Sequence, residues 1–219
     1  MHQCAQFSSN PCKSQAEAVK QIGGYLIGTK DKGIILHPDT TQSFLVWAGA
    51  DFVGNWSQET AISNVTTAKS RSEFLITYSG CPISWASRMQ TEVALSTTES
   101  EYISLSSALQ ETIPMMNLVQ EFKDKFATST VVSIPTICCM LFEDNSGALK
   151  LANTLKMHPH TKHINIKYHH FREFIRRGLV LIQSISTNNQ LADIFTKPLP
   201  RNLFTKFCDQ ILLWYPKSL

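Results

Sequence analysis

Apolar residues recur along this chain with two different periods, and the switches between them mark its elements. From Ser14 to Thr29, Ala16, Val19, Ile22 and Leu26 fall at helical spacing, with Gly28 and Gly33 just beyond, which predicts a helix and its end. The period then shortens. Ser43–Ala48 (Ser-Phe-Leu-Val-Trp-Ala), Phe74–Ser79 and Ile83–Ala86 read as strands, and Gly80-Cys81-Pro82 marks a hairpin turn between the last two. The polar stretch Ala50–Ser72 reads as a long loop.

Thr98 opens a second helix with Leu105, Ala108, Leu109 and Thr112 on one side, and Pro114 is expected to kink or interrupt it. Ile137–Phe142 predicts a buried strand ending at Glu143-Asp144, and Ser146–Asn153 a short helix. His163–Arg177 has the clearest helical stripe (Ile164, Tyr168, Phe171, Ile175), with Lys167, Arg172 and Arg176 off it. Leu179–Ile185 is a fifth strand, Asn189–Thr196 a helix and Leu203–Trp214 a last amphipathic segment. Three meandering strands followed by strands linked through helices predict an α/β fold. Its sheet would be mixed and five-stranded, with strands 1–3 antiparallel, the later strands parallel to strand 1, and helices flanking it. Ligands collect at the carboxyl ends of such parallel strands, which is where Asp144 and position 49 lie. Residues 1–40 stand apart from this pattern, so the expected division is 1–40, 41–200 and 201–219.

At 219 residues and 43% hydrophobic, the chain can bury a core without metals or disulfides. Its six cysteines show no CxxC spacing and no secretory signal precedes them, which implies reduced thiols in an intracellular protein. No apolar run reaches bilayer-spanning length, so no membrane partner is expected. Charge is uneven. Lys150–Arg177 holds seven basic residues and one acid, a net +6 in a chain of net +3, which leaves −3 elsewhere. Such a run is either a solvated helix face or a surface for phosphates.

Three isolated acids, Glu101, Asp144 and Asp193, are the candidate chemistry, because hard carboxylate oxygens suit Mg²⁺ shared with a phosphodiester. Each also has a plainer reading. Glu101 follows Thr98 by three, and Glu99 follows Ser96 by three, so either could complete a capping box. Asp144 could cap the helix after it, and Asp193 could be a surface acid. The histidines at 158, 160, 163, 169 and 170 lack nearby cysteines and read as packing or phosphate-side residues rather than a zinc site.

Five segments then occur in order: Trp85-Ala-Ser-Arg-Met-Gln, Val93-Ala-Leu-Ser-Thr-Thr-Glu-Ser-Glu-Tyr-Ile, Glu143-Asp-Asn-Ser-Gly-Ala-Leu, Thr161-Lys-His-Ile-Asn-Ile-Lys-Tyr-His-His-Phe-Arg-Glu and Ala192-Asp-Ile-Phe-Thr-Lys-Pro-Leu. Together they resemble the ribonuclease H domain of copia-type retrotransposon polyproteins, and residues 1–40 resemble the tail of the preceding reverse transcriptase. The resemblance implies a ribonuclease H-like fold and hydrolysis of the RNA strand of an RNA–DNA hybrid. Two Mg²⁺ ions (or Mn²⁺) roughly 3.5–4 Å apart would be held by four carboxylates: a strand-one Asp, Glu101, Asp144 and Asp193. It also implies a basic hybrid-binding surface at Lys162, His163, Lys167, Arg172 and Arg176. The partner would be the reverse-transcriptase part of the same polyprotein, and the setting a cytoplasmic virus-like particle.

The pattern breaks where the first metal ligand belongs. Trp47-Ala-Gly49-Ala-Asp51-Phe-Val-Gly54 has glycine at that position and an acid two residues later. Asp51 would face the same side of an extended strand but lie about 6.6 Å along it, so it substitutes only with rearrangement. Gln6 and Gly24 stand where the family usually has arginine, and Glu73 where it has glycine. These departures imply an impaired enzyme, or else a catalytically dead module that keeps nucleic-acid binding.

Overall fold

The computed structural model describes residues 2–5, 8–54, 56, 65–126, 137–154 and 170–214. Five strands form one sheet: β1 (Phe44–Asp51), β2 (Arg71–Tyr78), β3 (Cys81–Met89), β4 (Cys139–Glu143) and β5 (Val180–Ser184). Their order is β3-β2-β1-β4-β5. β1 to β3 pair antiparallel, while β4 runs parallel to β1 and β5 parallel to β4. The mixed sheet expected from the sequence is present, and β1 is the strand at which pairing changes direction.

Strand lengths differ from the sequence pattern for backbone reasons. The β2–β3 turn is Ser79-Gly80, both left-handed at φ 51° and 74°, the two-residue geometry whose twist suits a hairpin. β3 therefore starts at Cys81 rather than Ile83. β1 extends to Asp51 and β2 starts at Arg71, so the expected loop is shorter at both ends. The added pairs are Gly49 with Glu73, Ala50 with Ser72 and Asp51 with Arg71. Ladder hydrogen bonds use main-chain groups only, so polar side chains did not stop the strands here.

The two faces of the sheet bury different partners. A long helix (Thr97–Phe126) places Tyr102, Leu105, Ala108 and Leu109 in one core with Phe44, Val46, Ala48, Phe74 and Ile76. Alternation sends Trp47 and Leu75 to the other face, against Leu191 and the terminal helix (Arg201–Leu212) through Phe207 and Ile211. Pro114 does not interrupt the long helix. The proline and Gln110, whose carbonyl it leaves without an intrahelical donor, both lie on the exposed side. Water can take that bond, while Ile113 and Met116 stay buried on the opposite side.

After β5 the expected helix Asn189–Thr196 is instead two 3₁₀ turns, Thr187–Asn189 and Leu191–Phe195. The break falls at Gln190, which is extended and fully buried. Its amide donates to the carbonyls of Ala48 (2.9 Å) and Phe142 (3.4 Å). Those bonds hold the turn against the ends of β1 and β4, and a regular helix would swing the amide away. The predicted His163–Arg177 helix is described only from His170, with helix at Arg172–Arg176. Phe171 is fully buried, 5.7 Å from the Tyr102 ring. Lys162, His163 and Lys167 lie outside the described residues.

The first helix (Lys13–Gly28) has the predicted stripe but no core to meet. None of its described residues is buried, and Val19, Leu26 and Ile27 are exposed. Tyr25 touches the terminal helix edge-on at Phe204, with ring centroids 6.1 Å apart. No helix among the described residues is long and apolar enough to cross a membrane.

These two environments predict unequal mutational costs. Leu105→Ala should lower the unfolding free energy by about 2–5 kcal/mol, whereas Leu26→Ser should change it by no more than about 0.5 kcal/mol. Urea denaturation of the two variants checks both, and equal effects would contradict this division of the core.

Candidate active site

Two helix starts meet at the carboxyl end of the sheet. At the start of the long helix the Ser96 hydroxyl accepts from the Glu99 N–H (3.2 Å), and the Glu99 carboxylate accepts from the Leu95 N–H (2.8 Å). Glu101 is thereby free of capping duty. At the helix Ser146–Asn153, the cap is Asn145, whose side chain accepts from the N–H groups of Gly147 (2.9 Å) and Ala148 (3.0 Å). Asp144 is free as well. Gly147 lets the two starts approach, since a Cβ there would stand 2.5 Å from Thr98 Oγ1. That contact brings Glu101 beside the end of β4.

Glu101, Glu143 and Asp144 present carboxylate oxygens that all lie within 4.8 Å of one another. Glu101 and Glu143 are buried and Asp144 is half-buried. Asp144 Oδ2 accepts from the Thr187 hydroxyl (2.8 Å), and Glu143 Oε1 accepts from the Asn145 N–H (3.0 Å). Asp193, on the turn anchored by Gln190, ion-pairs with Lys197 at 2.7 Å.

Asp193 also faces a residue that was not among the candidates. Glu73, on β2, is fully buried, and its Oε2 accepts from the Thr196 hydroxyl. Gly49 lies against both acids. A Cβ at position 49 would be 2.9 Å from Glu73 Oε1 and 3.7 Å from Asp193 Oδ1. Asp51 does end β1, as its position in the motif suggested, but its carboxylate curls over Gly54. It lines a recess with Thr196 and Lys197 and is not one of the Glu101–Glu143–Asp144 group.

Crowding acids away from water raises their proton affinity. Burial, then the neighbouring Glu143 and Asp144, pushes Glu101 up to about 9. Burial does most of the same to Glu143, and burial followed by Asp193 to Glu73. Lys197 opposes the trend, attracting Glu73, Glu101, Glu143 and Asp193. Among the described residues, one ammonium against five carboxylates leaves these acids short of positive charge. Consistent with this, Glu73 Oε1, Glu101 Oε2 and Glu143 Oε2 are buried without a hydrogen-bond partner among the described residues. Glu101 Oε2 and Glu143 Oε2, grouped with Asp144, are unpartnered hard oxygens that fit a divalent cation such as Mg²⁺ or Mn²⁺, whereas Glu73 Oε1 lies outside that group, beside Gly49 and Asp193.

Glu73, Glu143 and Lys197 are thus additions to the set read from sequence. Glu143 had a legible signal, because period-two alternation from Cys139 and Leu141 puts it on the inner face of β4. Lys197 follows Asp193 by four residues within the last motif. Glu73 had none, since its place depends on the β1–β2 register. Of the predicted basic surface, Arg172 turns inward, donating to the Leu151 carbonyl (3.3 Å) and hydrogen-bonding Tyr102. Arg176 and Arg177 are exposed and pair with Glu173.

No family model matches the chain. It is 32% identical over 209 residues to the retrovirus-related Pol polyprotein from transposon TNT 1-94 of Nicotiana tabacum, covering 95% of this chain and 14% of that one. It is 31% identical over 211 residues to the corresponding polyprotein from transposon RE1 of Arabidopsis thaliana, covering 96% of this chain and 13% of that one. The chain therefore spans only about one-seventh of the length of these relatives. Among solved structures it is similar to the N-terminal RNase H domain of a Mycobacterium tuberculosis protein, with a TM-score of 0.44 and 7% identity, covering 76% of this chain and 96% of that one. With relatives matched over nearly its whole length, the chain belongs to the retrovirus-related Pol polyproteins of copia-type transposons, of which it spans one segment.

Proposed function

We propose that this domain hydrolyses the RNA strand of RNA–DNA hybrids with divalent cations held at the carboxyl ends of β1 and β4. The observation that supports the reading is the grouping of Glu101 with Glu143 and Asp144, whose carboxylate oxygens lie within 4.8 Å of one another, with Asp193 near enough to act electrostatically on Glu143. Glu101 and Asp144, with Glu143 behind them, form one side of the site, and Asp193 forms the other. When bound, a pair of Mg²⁺ ions supplies Lewis acidity and offsets charge on the phosphodiester. Thr187 and the Gln190 anchor orient Asp144 and Asp193, and Lys197 offsets part of the negative charge when no cation is present. The chain's contribution is the fixed placement of these oxygens at the carboxyl ends of β1 and β4, with the half-buried Asp144 on the solvent side.

A hybrid would be gripped by its backbone and RNA 2′-hydroxyls rather than by base edges. The basic segment Lys150–Arg177 supplies that grip, through Lys162, His163, Lys167 and the exposed Arg176; Arg172 serves more as an anchor for the segment. Residues 1–40 are read as the end of the reverse transcriptase. The exposed Val19, Leu26 and Ile27 support this, because an apolar helix face without a core suits packing against the polymerase part of the same polyprotein. The setting that follows is the intracellular particle in which such a polyprotein acts.

Cleavage of an end-labelled RNA–DNA hybrid in Mg²⁺ tests the reading. The chain should cut the RNA strand. Glu101→Gln and Asp193→Asn should each lower the rate at least about 100-fold, since loss of a group that merely supports a metal ligand already costs about 10–100-fold. Cutting by these variants at the natural rate would refute the assignment.

The metal-free chain should also show a particular pH dependence. The folded-state values of Glu101 (about 9) and Glu143 (about 8) lie above the ordinary 4.5. The folded chain therefore keeps protons that the unfolded chain releases. Their contribution to stability is complete below about pH 4.5 and is lost as pH rises through about 8–9. Mg²⁺ competes with those protons, so it should raise the melting temperature more at pH 8.5 than at pH 5. An equal shift at both values, read by differential scanning calorimetry, would contradict a site built from these carboxylates.

A further inference from the structure

Gly49 and Glu73 each depart from the pattern that the sequence resembles, and in the sequence they lie 24 positions apart. The sheet makes them direct cross-strand partners. Paired residues of an antiparallel ladder point to the same face, with Cβ positions about 4.5–5.5 Å apart. A side chain added at 49 would start only 2.9 Å from Glu73 Oε1. The carboxylate of Glu73 thus occupies the space that a residue-49 side chain would enter. Glycine at 49 is what allows it to be there.

The partners of Glu73 show where that carboxylate is aimed. The residue is fully buried, Oε2 is held by the Thr196 hydroxyl, and Oε1 meets no donor among the described residues. It faces the Asp193 carboxylate, with which it can hydrogen-bond only when one of the two carries a proton. Oε1 lies beside the Gly49 gap, next to Asp193 Oδ1, which is 3.7 Å from the same Cβ position. Ser104 Oγ donates to the carbonyls of both Gly49 (2.5 Å) and Glu73 (3.0 Å), so the long helix fixes the pair from the opposite face of the sheet. An unpartnered buried oxygen facing a carboxylate is costly unless a cation or a proton lies between them.

We propose that Glu73 supplies the cation-binding carboxylate that β1 lacks, so that the acid has moved across the ladder from β1 to β2 and the glycine has moved the other way. The two departures are then one coupled exchange. This rests on the divalent-cation reading of the site given above. It also removes Asp51 as the substitute ligand, because that carboxylate is turned to Gly54. A glutamate reaching across from β2 has one more rotatable bond than an aspartate on β1, so the exchanged site should hold cations, but less tightly than the unexchanged one.

The test is Mn²⁺ binding by the full chain, measured by calorimetry without nucleic acid, beside hybrid cleavage in Mg²⁺. Four variants are compared: Glu73→Gln, Glu73→Asp, Gly49→Asp, and the double variant Gly49→Asp with Glu73→Gly. Glu73→Gln keeps the shape of the side chain and should weaken Mn²⁺ binding by about tenfold or more. Glu73→Asp keeps the charge and should recover part of that loss. The double variant should bind Mn²⁺ at least as tightly as the natural chain. Gly49→Asp alone should gain nothing and should melt lower, because it forces a further carboxylate into contact with Glu73. Unchanged Mn²⁺ affinity in Glu73→Gln, or a gain in Gly49→Asp equal to that of the double variant, would overturn the exchange while leaving the metal site standing. Failure of both the natural chain and the double variant to bind Mn²⁺ or to cut the hybrid would overturn the exchange together with the reading on which it rests.

Discussion

The structure turns on a concentration of like charge at one edge of a sheet. Glu101, Glu143 and Asp144 gather where β4 ends, and Glu73 faces Asp193 beside Gly49, with Lys197 as a nearby cation for both sets among the described residues. Packing alone would not gather them, because each buried charge costs several kcal/mol without a partner. Backbone devices hold them in place instead. Gly147 lets two helix starts approach, Gln190 fastens a turn to two strand carbonyls, and Ser104 ties the long helix to Gly49 and Glu73. Without a cation, bound protons and Lys197 offset part of that repulsion. The metal-free fold keeps buried carboxylate oxygens without a hydrogen-bond partner among the described residues.

The mixed sheet explains why such a site arises here. β1 is paired antiparallel on one side and parallel on the other. Its carboxyl end therefore meets the end of β4, while its flank meets the start of β2. Acids from both neighbours can reach the same point, which makes a cross-strand exchange between positions 49 and 73 geometrically possible. A one-residue slip in the β1–β2 register would send Glu73 to the opposite face, into the apolar core of the long helix.

Much of this was legible in the sequence, and the rest failed for identifiable reasons. The antiparallel strands 1–3 and the parallel return of the later strands followed from periodicity, and Glu101, Asp144 and Asp193 were singled out from ordered motifs. Elements were misjudged where main-chain bonding or a single buried side chain overruled pattern. The β1 and β2 extensions carry polar residues but complete a ladder; Gln190 breaks a helical pattern to reach two carbonyls; and Pro114 is tolerated because its helix face is wet. Glu73 was unreadable because its meaning lies in a pairing between distant segments. In sequence it looked like a second defect beside Gly49. In three dimensions each of the two positions sets the space available to the other.

The central claim is that these carboxylates form one divalent-cation site that includes Glu73. Its most direct test is a crystal structure of the chain grown with Mn²⁺, with the ion located by anomalous scattering. The account predicts density among Glu73, Glu101, Asp144 and Asp193. Density at Asp51 instead, or an ion that leaves Glu73 uncoordinated, would contradict it.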